Sequence, residues 1–160
     1  MRRMLVMVGL AAMASVPAGA QTVVDGTLGT VNGQVIMRSD VRRARALKLV
    51  KIGDASDAAI QTELENRILV LAQIGRSAQP DPAVEEVKAR RAAWEASLAP
   101  GAAPAALLAE SGMTDAELVA WLRNDVRIQK YEQQLFGSQA DPPAAIAKWI
   151  LDLRRRAGLK

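Results

Sequence analysis

The sequence predicts a mainly α domain of five or six helices that opens with one small β-hairpin. Two observations carry that prediction. Val31-Asn32-Gly33-Gln34-Val35 sets Asn-Gly between β-type residues, the strongest short-range hairpin signal. Beyond Met37, apolar residues recur at helical spacing between cap residues and Pro- or Gly-rich breaks, with almost no further strand signal.

Residues 1–20 stand apart from that domain. Met1-Arg2-Arg3 is positively charged, Met4 to Ala14 is apolar, Pro17 breaks the run, and Ala18-Gly19-Ala20 has a small-x-small pattern. This is the form of a secretory signal peptide cleaved after Ala20. A transmembrane anchor would need about 20 apolar residues, so no integral membrane segment is expected after cleavage. Residues 21–160 are then one domain, large enough to bury about two thirds of its unfolded surface.

The hairpin spans Thr27 to Met37, with Asn32-Gly33 as a type I′ turn. A two-stranded ribbon alone is marginal in water, so it must be covered by a helix or joined by another strand. Ser39 or Asp40 is expected to cap the first helix, which runs to about Ile52 and stops at Gly53. Asp57 is expected to cap the second, to about Ile74. Ile60, Leu64, Ile68 and Leu71 form a stripe on it, and Leu69 and Val70 add apolar surface on other sides. A helix apolar on several sides is usually central.

Gln79-Pro80-Asp81-Pro82 is a break. A third helix behind an Asp81 cap, with Pro82 in its first turn, runs to about Leu98. Val84, Val87, Trp94 and Leu98 make a narrow seam, interrupted by Arg91, whose stem is expected to pack while its head reaches water. After the Ala99–Pro104 loop, a short helix from Ala105 to Glu110 is stopped by Gly112. The capping box Thr114-Asp115-Ala116-Glu117 starts the longest helix, to about Phe136, with Gly137 as its stop. It carries two stripes: Leu118, Val119, Leu122 and Val126, then Trp121, Ile128, Tyr131 and Leu135. Asp141 caps the last helix, 142–157, whose Ile146, Trp149, Ile150, Leu153 and Ala157 suit a docked amphipathic helix. Arg154-Arg155-Arg156 falls in its last turn, where positive charge suits the helix dipole.

Composition narrows the chemistry. The chain has no Cys and no His, which excludes disulfides, thiolate chemistry, the common zinc sites and His-based acid–base catalysis. Arg2 and Arg3 are two of the 21 basic residues, leaving 19 against 17 acidic ones. So slight an excess does not suit a nucleic-acid binder. Glu85-Glu86 and Asp152 read as solvated helix faces, Ser39 and Ser111 lack a partner base, and Gly26-Thr27-Leu28-Gly29 is no phosphate loop. The basic run Arg38 to Lys51 is not gathered on one face, so it reads as a solvated, partly ion-paired helix rather than a lipid-binding one. Neither an enzyme nor a cofactor site is predicted. What remains is apolar surface near loops and helix ends: Trp94, Leu98, Leu107, Leu108, Met113, Trp121 and Trp149. Most of it reads as core, and what the core does not take would line a hydrophobic peptide-binding groove.

An exported chain that starts Val23-Val24-Asp25 and passes through a hairpin ending in Val35-Ile36-Met37-Arg38-Ser39-Asp40-Val41 into helices resembles the N-terminal domain of the SurA family of periplasmic chaperones. The likeness is sharpest over Val31 to Val41 and looser over Leu118 to Leu135 and Ile146 to Ala157. The family usually carries parvulin prolyl-isomerase domains before its last helix. Here that interval is only Gly137 to Pro143. The resemblance therefore implies a SurA N-terminal-domain-like helical chaperone core without isomerase activity. It implies a periplasmic location, and clients that are unfolded outer-membrane proteins or aromatic-rich peptides. In the family a strand after the last helix completes the small sheet, whereas here only Gly158-Leu159-Lys160 follows. The short chain also motivates an alternative: a non-catalytic interaction module for one folded envelope partner, or for a second copy of itself.

Overall fold

Val31 pairs with Gln34 across a turn in which Asn32 and Gly33 both take positive φ, 49° and 79°. That is the type I′ geometry whose twist matches the strands it joins. The computed structural model describes residues 25–50, 56–77 and 79–159. The stretch expected to be a leader, the cleavage site expected after Ala20 and the helix stop expected at Gly53 lie outside those residues. The elements run β1 (Thr27–Val31), β2 (Gln34–Met37), α1 (Arg38–Ala46), α2 (Asp57–Ile74), α3 (Val84–Ala96), α4 (Pro104–Ser111), α5 (Asp115–Phe136) and α6 (Pro142–Arg156). The fold is mainly α with one antiparallel hairpin, as the sequence predicts, and no third strand joins it among the described residues.

The hairpin is covered by helix. Val31 and Ile36 are buried on one face, and both strands rest on α2. The register shifts between Thr27 and Gly29. The Leu28 carbonyl, at that shift, accepts a hydrogen bond from Gln61 Nε2 of α2 at 3.4 Å.

As its several apolar sides suggest, α2 is the central element. It packs against the hairpin, α1, α5 and α6. Ile60, Leu64, Leu69, Val70 and Ile74 are buried. Each such side chain contributes about 1.5–3 kcal/mol by leaving water. α3 lies along α5, and α4 closes on α1.

Several helix starts differ from the sequence reading. α1 begins at Arg38, directly off β2, and its cap is Met37, whose N–H donates to the Asp40 carboxylate at 2.8 Å. Ser39 sits inside the first turn, where its N–H donates to Asp25 at 3.0 Å and its hydroxyl bonds the same carboxylate. Ser56, not Asp57, caps α2, its hydroxyl accepting from the Ala59 N–H at 3.2 Å. α3 begins after Ala83 rather than Asp81, because the backbone stays extended there and Glu86 receives the Ala83 N–H at 2.8 Å. Val84, the first residue of the expected seam, is then 64% exposed at the helix start. Arg91 in that seam does reach outward. Its head pairs with Asp115 at 2.6 Å and Glu95 at 3.0 Å, and these bonds, Asp115 first, raise its pKa. The capping box at Thr114 and the Asp141 cap form as predicted.

α1 also ends earlier than Ile52. Ala46 is its last residue, and Lys48 follows with φ of +48°. The Leu49 N–H reaches back to the Ala44 carbonyl at 2.9 Å and the Lys48 N–H to Arg45 at 3.1 Å. This is a Schellman closure with lysine at the left-handed position that glycine usually takes.

Candidate functional site

α2 and α5 meet through one arginine. The Arg67 guanidinium lies 3.9 Å from the centre of the Trp121 ring. It donates to the Trp121 carbonyl at 2.7 Å and to Asp125 at 2.5 Å. The second Asp125 oxygen takes Arg90 of α3 at 2.7 Å. Burial lowers the Arg67 pKa below its ordinary value, while the charge and hydrogen bond of Asp125 oppose that shift. Three helices are thus tied at one carboxylate, and Trp121 is fixed between its own turn and a cation.

Trp121 and Arg67 stand between two cavities. The first, of about 590 Å³, opens among β2, α1, α2 and α5. Its floor is apolar, with Leu49, Leu64, Ile68, Leu71, Met113 and Trp121, and its rim carries Gln34, Asp40, Arg43, Glu117 and Asn124. Val35 stands on its β2 side, 50% exposed. The second, of about 400 Å³, lies towards α6 and is lined by Val50, Val70, Ile128 and Ile150 with Glu63 and Glu132. Burial raises the Glu132 pKa above its ordinary value. Both volumes fall within the range usual for ligand pockets.

Of the groove residues read from the sequence, Met113 and Trp121 share the first cavity. The structure places the others in packing. Trp94 is 4% exposed, and its indole N–H donates to the Leu47 carbonyl at 2.7 Å. Leu108 is buried, and Leu98 and Leu107 are partly buried against the same core. Trp149 rests on Tyr131 and Phe136, with ring centres 5.9 and 5.5 Å apart. The sequence reading did not select Leu49, Ile68, Leu71, Val35 or Arg67 for the cleft. Ile68 and Leu71 carry a signal, the helical stripe, but a stripe that lines a cleft looks the same as one that fills a core. Arg67 carries none, because its partner Asp125 is 58 residues away.

The carboxylates and hydroxyls weighed for chemistry have local partners. Glu86 accepts from Lys130 at 2.9 and 3.0 Å and from the Ala83 N–H, and these bonds, Lys130 first, lower its pKa. Glu85 pairs with Lys88 at 3.8 Å, Asp152 with Arg155. The Ser111 hydroxyl donates to the Leu108 carbonyl at 2.9 Å. In the basic run, Arg42 faces Asp25, Arg43 faces Asp40, and Arg45 meets Asp57 at 2.6 Å. Among the described residues no helix is long and apolar enough to cross a membrane. No family model, curated protein or solved structure matches this chain.

Proposed function

We propose that this protein is a chaperone-like protein of the periplasm that holds unfolded segments of outer-membrane proteins in the cleft floored by Met113 and Trp121, without prolyl-isomerase activity. The observation that carries the reading is the cleft itself: about 590 Å³, open, apolar at its base and polar at its rim. An unfolded outer-membrane strand offers alternating apolar side chains, and such a floor accepts them without demanding one sequence. The signal-like leader and the SurA-like stretch Val31 to Val41 support the same reading. Release without a nucleotide calls for modest affinity, in the micromolar range, or about 8 kcal/mol.

The test is a fluorescence titration of residues 21–160 with an unfolded, tryptophan-free outer-membrane protein fragment. A saturable change with a micromolar midpoint, weakened in a folded Trp121→Ala variant, is the expected result. A flat titration of well-folded protein would overturn the reading. A second reading, an interaction module for one folded envelope partner or for itself, draws on Leu151, which is 64% exposed on the outer face of α6. A single stoichiometric partner recovered by wild type and lost with Leu151→Asp would favour it.

A further inference from the structure

We infer that the segment Leu47–Val50 is a strap that divides the cleft, and that the Trp121 indole N–H behind it takes a backbone carbonyl of an extended apolar polypeptide once the strap opens. This rests on the peptide-binding reading above.

Three side chains, Leu49, Arg67 and Trp121, line both cavities, so they form the partition between them. Trp121 Nε1 is buried and has no hydrogen-bond partner among the described residues. Arg67 lies over the ring face, which leaves the in-plane N–H untouched. A buried donor without an acceptor is costly, and the Trp94 indole shows the usual remedy in its bond to Leu47. Leu49 is the member of the partition with a hinge beside it. It is 8% exposed, it follows Lys48 with its left-handed φ of +48°, and its own N–H donates to the Ala44 carbonyl. The buried Leu47 carbonyl stays anchored on the Trp94 indole, and Lys48 Nζ reaches the Ser97 carbonyl at 3.1 Å, so the hinge lies between Leu47 and Leu49. Opening breaks the Leu49–Ala44 and Lys48–Arg45 backbone bonds and exposes the Leu49 side chain, but it also releases a conformation that L-residues disfavour and frees the orphan donor.

The occupant follows from what the partition leaves. With Leu49 withdrawn, cavities of about 590 and 400 Å³ join into one channel. Its walls are apolar on the Met113 side and mixed on the α6 side, where Val50, Val70, Ile128 and Ile150 stand among polar side chains. That suits an extended chain of alternating apolar and polar residues. Among the described residues that line it, the fully buried donor without an acceptor is the neutral Trp121 N–H, which suits a carbonyl oxygen, while the half-buried Glu132 stands towards its α6 end. The Arg67 charge is already taken by Asp125 and the Trp121 carbonyl, so an anion gains little there.

The experiment is ¹H–¹⁵N NMR of the indole groups. In the free protein, Trp121 N–H exchange with solvent is expected to run at least tenfold faster in Leu49→Ala and several-fold slower in Lys48→Gly, with the amides of Leu118 and Leu122 unchanged. Lys48→Ala, which keeps the strain but loses the Lys48 Nζ bond to the Ser97 carbonyl, is the reference against which the slowing in Lys48→Gly is read. Should Leu49→Ala not fold, the exposed Lys48 pair carries the test alone. Indole exchange indifferent to these changes would overturn the strap. A tryptophan-free peptide of about nine residues, one membrane-strand length, alternating Phe with Ser, is then added. The Trp121 indole proton is expected to move downfield and become protected. Trp121→Phe should bind several-fold more weakly with an unchanged or raised Tm, whereas a merely structural tryptophan would lower it. Peptide binding by anisotropy with the Trp121 indole unmoved would overturn the anchor and leave the proposed function standing. No binding by wild type or Leu49→Ala would overturn both.

Discussion

Glu132 lines the second cavity half-buried, and nothing but burial shifts it. Burial favours the neutral acid, so its folded pKa lies above 4.5. The unfolded chain then ionises at lower pH than the folded one, and folding loses stability as pH rises through that interval. Glu132→Gln is therefore expected to raise the Tm at pH 7. The gain should vanish below about pH 4, where both states hold the proton. A thermal melt at the two pH values checks it, and an equal shift at both would sink the account. Asp125 shows the opposite arrangement, a carboxylate shared by two arginines. Neither environment was legible in the sequence. Glu132 and Asp125 both sit on a helix that reads as amphipathic, and only the approach of α2 and α3 distinguishes them. Trp94 and Trp121 teach the same lesson. Both fall at plausible groove positions, yet one spends its indole N–H on Leu47 and the other has no acceptor among the described residues.

Element by element, the sequence was most readable where a stop or start used its customary residue. The Asn-Gly turn, the Thr114 box, the Asp141 cap and Gly112 all appear where the pattern places them. α1 ends before the stop its sequence predicts because Lys48 does the work of a glycine. α4 and α6 close in the same way as α1. Met113 returns to Leu108 past Gly112, and Leu159 returns to Arg154 past Gly158, with φ of +67° and +71° at the two glycines. The comparison yields a paired expectation for the left-handed position. Gly112→Ala should cost about 1 kcal/mol, and Lys48→Gly should gain up to about 1 kcal/mol. Urea unfolding measures both. A destabilised Lys48→Gly would mean that the exposed bond from Lys48 Nζ to the Ser97 carbonyl outweighs the strain. Cap positions off by one or two residues have a different cause. Ser39 and Asp40 are both good caps, and the choice fell to Met37 only because the helix starts at the last residue of a strand fixed by the hairpin register.

At the scale of the molecule, the fold class and the central place of α2 were legible, because periodicity reports how many sides of a helix are covered. What docks on it was half legible. Leu153 on α6 follows the apolar spacing, but Arg154 looks like one of three charges at a helix end. In the structure Arg154 is 9% exposed and reaches Glu65 at 3.0 Å and Asn66 at 2.9 Å on α2. Removing one partner of a buried pair strands the other charge. Arg154→Ala should therefore cost about 3 kcal/mol, and Arg154→Met with Glu65→Leu should recover most of it. Equilibrium unfolding of the single and double variants decides this, and additive losses would argue against a coupled pair. The pair also sets an order of events. Glu65 and Arg154 are 89 residues apart, and chains that depend on such distant contacts fold slowly. A polypeptide threaded out of a membrane with its first residues leading would expose α2 before α6 arrives to cover it. During that interval the chain itself presents an uncovered apolar helix, the same kind of surface its cleft is proposed to shelter in others. On such a route, safe passage would depend on how quickly the last helix follows the second into the new compartment.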